Sequence, residues 1–72
     1  MSYAISVVFR DRGDYWSRSY TYKSDTKYEI GDVVLVPMKD FYSVGKVVGY
    51  MPESQYNFKP GIEYKSVLKK VI

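Results

Sequence analysis

Tyr28-Glu29-Ile30-Gly31-Asp32-Val33-Val34-Leu35-Val36-Pro37 places a glycine-aspartate pair ahead of four apolar residues that run straight into a proline. An apolar run this short, rich in β-branched side chains and bounded by turn residues, reads as a buried strand. Pro37 lacks an N–H for the ladder and stops it. Immediately downstream, Met38 to Tyr42 is a polar and aromatic loop, and Ser43-Val44-Gly45-Lys46-Val47-Val48-Gly49-Tyr50-Met51 is a second β-branched segment punctuated by Gly45 and Gly49. Two such segments joined by so short a loop are expected to pair as a hairpin.

Working towards the N-terminus, Tyr3 to Phe9 alternates, with Tyr3, Ile5, Val7 and Phe9 on one face and Ala4, Ser6 and Val8 on the other. This period of two is that of a strand. Arg10 to Ser17 carries charges, Gly13 and the adjacent aromatics Tyr15 and Trp16, and reads as a loop or wide hairpin. Strand character resumes over Arg18 to Lys23, where Tyr20 and Tyr22 share a face, and Ser24 to Lys27 is a polar turn. Towards the C-terminus, Met51 to Gly61 holds Pro52, Asn57, Pro60 and Gly61 and reads as a long surface loop with room for one helical turn. Tyr64 to Ile72 alternates as a closing strand, although Leu68, Val71 and Ile72 would also lie close together on a short amphipathic helix. Five short strands with glycine-marked turns predict an all-β fold, a small five-stranded SH3-like barrel, as one domain over residues 1–72.

The composition narrows the chemistry. A chain of 72 residues draws only ~3–5 kcal/mol from its core. With neither cysteine nor histidine it cannot use disulfides, a zinc cluster, a thiolate nucleophile or a Ser-His pair. No cofactor or metal is expected. The 46% hydrophobic share is ordinary, whereas nine tyrosines, three phenylalanines and one tryptophan bring the aromatic share to 18%, more than a small core requires. Eleven basic against eight acidic residues give +3, a mild lean towards an anionic partner. No apolar run approaches the roughly 18 residues of a membrane span, and the N-terminus lacks the pattern of a signal peptide, so a cytoplasmic location is expected.

The order of features resembles the N-terminal domain of the primosomal replication-restart helicase family. The resemblance rests on the alternating first strand, Tyr20-Thr21-Tyr22, Gly31 to Pro37, Gly45 to Tyr50, and Tyr64 to Ile72. It implies an SH3-like module that binds the 3′ end of a DNA strand, with Lys65 matching a family lysine that approaches the nucleic acid. Where the family has an aspartate between two aromatics in its end-binding pocket, this chain has Thr21. After Pro37 it continues Met38-Lys39-Asp40-Phe41-Tyr42, where family members carry a phenylalanine, a glycine and basic residues. The resemblance implies fold before function, and without the helicase it suggests a stand-alone relative such as a phage protein.

Asp11 with Asp14, or Asp32 with Asp40, are carboxylates near one another in sequence of the kind that do acid–base work or hold a divalent cation, but Asp32 beside Gly31 reads as a turn-former. Gly45, Gly49 and Gly61 lack the spacing of a phosphate-binding loop. A non-enzymatic binding module is therefore expected. Aromatics stack on bases and neighbouring cations attract phosphates. The candidates are Tyr15 and Trp16 between Arg10, Arg12 and Arg18; Tyr20; Phe41 and Tyr42 between Lys39 and Lys46; and Lys65. The plainer readings make Trp16 a cap on the barrel, place Tyr3, Phe9 and one of Tyr20 or Tyr22 in the core, and use Lys65, Lys69 and Lys70 to protect an edge. Two functions fit: binding of single-stranded nucleic acid, or a protein-binding adaptor or inhibitor, of phage type, acting on a larger host protein. The basic lean, the aromatic surplus and the resemblance make the first the preferred reading, while Asp11, Asp14 and Asp40 beside the aromatics support the second as the alternative.

Overall fold

The computed structural model describes residues 2–10 and 16–71. Five strands form: β1 (Tyr3–Val8), β2 (Tyr20–Ser24), β3 (Val33–Pro37), β4 (Tyr42–Pro52) and β5 (Lys69–Lys70), with one 3₁₀ turn at Glu53–Gln55. They make one antiparallel sheet in the order β2-β1-β4-β3-β5. The chain is a small all-β domain, as its strand periodicity predicts.

The Gly31-Asp32 turn starts the hairpin as expected. Gly31 takes φ +99°, a left-handed value open to glycine at little cost. Its N–H donates to Val47 O at 2.8 Å, Val47 N–H donates to Asp32 O at 2.9 Å, and Asp32 Oδ2 accepts the Glu29 N–H at 3.0 Å. β3 then pairs with β4 from Val33↔Lys46 to Pro37↔Tyr42. Tyr42 opens β4 rather than closing the loop, because its pairing with Pro37 draws it into the ladder. β4 runs for 11 residues and also pairs with β1, through a register shift at Ser6/Val7 that leaves Val48 unpaired. Such a bulge bends the strand and allows one segment to serve two neighbours.

Inward-facing Ile5, Val7, Val34, Val36 and Val47 are fully buried, with Tyr22 and Tyr28 among them and Tyr3, Phe9 and Val67 packed alongside. The two tyrosines of β2 part company here. Tyr22 joins the core at 6% exposure, whereas Tyr20 is 42% exposed.

Further departures from expectation lie at β2 and at the C-terminal segment. β2 begins at Tyr20 rather than Arg18, since the Ser17 N–H donates to Phe9 O at 2.7 Å while its Oγ accepts the Phe9 N–H at 2.9 Å, a side-chain bond where regular pairing would continue. The closing strand is only two residues long, because the C-terminal segment divides its hydrogen bonds between both sheet edges. Lys23 N–H donates to Lys65 O and Val67 N–H to Lys23 O, each at 2.9 Å, after which Leu68 and Val71 donate to Leu35 O and Val33 O at 2.9 and 2.7 Å. A single parallel bridge, Lys23↔Ser66, therefore links β2 to the segment that leads into β5. Among the described residues no helix is long and apolar enough to cross a membrane.

Candidate nucleic-acid interface

β2 sets the site. Tyr22 and Tyr20 lie opposite Ile5 and Val7, so both project towards the inner side of the sheet. Tyr22 sits deeper and its hydroxyl donates to Met38 Sδ at 3.6 Å. Burial, then the neighbouring Tyr20, pushes its pKa above the usual 10.0. Tyr20 stands at the mouth, with its ring centroid 5.8 Å from that of Phe9 and Arg18 Cζ 5.6 Å from its own centroid.

A groove of about 300 Å³ opens there. Its walls are Tyr20, Thr21 and Tyr22 of β2, Pro37, Met38 and Lys39 at the β3–β4 turn, and residues Ile62, Glu63, Tyr64 and Lys65. A neighbouring depression of about 240 Å³, lined by Phe9, Arg10, Ser17, Tyr20, Met38 and Ser43, shares Tyr20 and Met38 with it. The far wall is held by an aromatic cluster: Phe58 meets Tyr56 and Tyr64 edge-on, at centroid distances of 4.6 and 4.8 Å. Thr21 Oγ1 and the Tyr56 hydroxyl are 2.8 Å apart, Lys59 N–H donates to the Tyr64 hydroxyl at 3.0 Å, and Lys23 Nζ lies 5.0 Å from the Phe58 ring. Of this cluster Tyr64 lines the groove itself, with Tyr56 and Phe58 packed behind it. Lys39 and Lys65 are cations of the groove, and Glu63 is its one acidic lining residue.

Three candidates from separate parts of the chain, Tyr20, Lys39 and Lys65, line one groove, and Arg18 lies over Tyr20. Phe41 and Tyr42, 62% and 66% exposed, flank it in the pocket of the β3–β4 turn with Lys39 and Asp40. Trp16 does not join them. It pairs with Arg10, and Lys46 Nζ lies 5.5 Å from its ring, with Arg10 Cζ at 5.9 Å. Lys46 pairs with Val8 on the outer face, opposite the buried Val7 and Val47, so Trp16 lies on the other side of the sheet from Tyr20. At 49% exposure it is not a buried cap. Lys46 accompanies Trp16 rather than Phe41 and Tyr42, because four residues of strand carry it about 13 Å from Tyr42. Tyr15 lies outside the described residues.

Sequence reading missed Met38, Phe9 and Tyr64 as walls. Phe9 carries the alternation of a core residue, and Tyr64 has no local feature marking it. Among the described residues no three His, Cys, Asp or Glu side chains are grouped so as to hold a metal ion. Comparison with known proteins finds no matching family model, no matching curated protein and no matching solved structure. The site is read from its geometry.

Proposed function

We propose that this chain is an SH3-like module that binds single-stranded nucleic acid in the groove beside β2. The observation that carries this reading is the half-exposed Tyr20, with Arg18 over its ring and Lys39 and Lys65 on the groove it lines. An aromatic wall offers a stacking partner to an unpaired base, worth ~1–3 kcal/mol, while the cations attract the flanking phosphates. A duplex keeps its base faces covered and gains only the phosphate term. The resemblance in feature order to a DNA-end-binding module points the same way.

The test is fluorescence anisotropy of labelled oligothymidylate and of a duplex of equal length. Engagement of one phosphate by each of Arg18, Lys39 and Lys65 gives a slope of log K against log salt of about −2, or roughly twentyfold weaker binding between about 50 and 200 mM salt. Tyr20→Ala is expected to weaken single-strand binding about 5- to 150-fold. Equal affinity for duplex, or an unchanged Tyr20→Ala variant, would sink the proposal.

A further inference from the structure

Val33-Val34-Leu35-Val36 is apolar on both faces of β3, and the fold covers only one of them. Val34 and Val36 are fully buried in the core. Val33 and Leu35 point outward, half-buried, beside Val44 and Val71, which are 50% and 46% exposed. The register makes these neighbours one surface: Leu35 lies between Val44 and Lys69, Val33 lies opposite Lys46, and Val71 N–H donates to Val33 O at 2.7 Å. An antiparallel sheet with a solvated face ordinarily alternates polar residues onto it, whereas an unbroken apolar run belongs to a strand covered on both sides.

The charges around this surface indicate what covers it. Lys46 and Lys69 lie on it, Arg10 borders it over Trp16, and among the described residues no carboxylate shares it. Asp32, the acidic residue next to β3, follows the inward alternation of Val34 and is engaged by Lys70 Nζ at 3.4 Å. A second copy packed face to face would set cations against cations. A nucleic acid would find aliphatic side chains at the centre, with rings only at the margins, Trp16 beside Lys46 and Tyr42 beyond Val44.

We propose that the outer face of β3, β4 and β5 docks an acidic amphipathic segment of another protein. Its apolar side chains would rest on Val33, Leu35, Val44 and Val71, and its carboxylates would meet Lys46 and Lys69. This surface lies on the opposite side of the sheet from Tyr20, so both sites can be filled together.

The full chain, ¹⁵N-labelled, is titrated with a synthetic peptide alternating leucine with glutamate, with the same peptide carrying lysine for glutamate, and with oligothymidylate. The acidic peptide is expected to shift the amides of Val33, Leu35, Val44 and Lys69. Val44→Asp is expected to weaken it about tenfold or more, Lys46→Glu with Lys69→Glu to transfer the preference to the lysine peptide, and Tyr20→Ala to leave it unchanged. Lys46→Ala serves if Val44→Asp fails to fold. The proposal is overturned by absence of shifts at millimolar peptide, by equal response to both peptides, by shifts confined to the Tyr20 groove, or by oligothymidylate shifting the same β3–β5 amides. Sedimentation as a dimer that Val44→Asp disperses would instead assign the face to a second copy.

Discussion

Gly45 and Gly49 each directly follow a valine of the same strand, yet alanine should act oppositely at the two positions. A Cβ on Gly45 would overlap Val7 Cγ1 and come within 3.0 Å of Phe9 Cε1 and 3.1 Å of Val8 O. Val7 is fully buried and β-branched, so its methyl has no free rotamer to retreat to, and the Val8 oxygen belongs to the ladder. Overpacking of this kind costs ~1–3 kcal/mol, out of the ~3–5 kcal/mol expected for a core this small. At about 4–8 °C per kcal/mol, Gly45→Ala should lower Tm by roughly 5–20 °C. At Gly49 the nearest atom to a new Cβ is Ser6 Cβ, at an ordinary 3.8 Å, and neither glycine has a left-handed φ. Gly49→Ala should therefore be neutral, or stabilising by ~0.4–1 kcal/mol through the stiffer unfolded chain. Urea and thermal unfolding followed by circular dichroism read both values. A Val7→Ala background isolates the clash: Gly45→Ala should cost less there, by a coupling above about 0.5 kcal/mol. A Gly45→Ala protein as stable as the parent, or a Gly49→Ala protein destabilised to the same degree, would refute the packing argument.

Lys65→Ala should flatten the salt dependence of single-strand binding by about 0.7 in slope, one phosphate's share, and an unchanged slope would remove Lys65 from the phosphate path. Tyr22 holds its proton more tightly folded than unfolded, so the stability it contributes is fully present below about pH 10 and is lost as pH rises through the raised folded value. Tyr22→Phe should remove that alkaline loss, read as urea midpoints from neutral pH to above pH 10, and equal alkaline loss in both proteins would contradict the burial of this hydroxyl. Thr21→Val and Tyr56→Phe each break one 2.8 Å hydrogen bond that fastens the groove wall to β2. Their double-mutant cycle should give a coupling of ~0.5–1.5 kcal/mol, and strict additivity would mean that the bond does not hold the wall.

Local pattern was enough for the strands and the central hairpin. Period two over Tyr3 to Phe9, the left-handed turn at Gly31 and the proline stop at Pro37 are each decided within a few residues, by side-chain direction and backbone sterics. The same rules could not separate Tyr20 from Tyr22, which share a face. Only the pairing of Tyr22 with Ile5, at the middle of the core, and of Tyr20 with Val7, towards the mouth, buries one and exposes the other. They also left Lys46 beside Phe41 and Tyr42, whereas the outward face of β4 brings it to Trp16. Lys39 and Lys65 reach one groove because the C-terminal segment bonds back to Lys23 on β2 before it runs beside β3. What the sequence determined unaided is which segments are extended and where they turn. Which side chains meet was decided by long-range register, and along β4 by the bulge at Val48 as well: in a strand of period two, one unpaired residue exchanges the faces of Gly49 to Pro52 relative to the alternation before it.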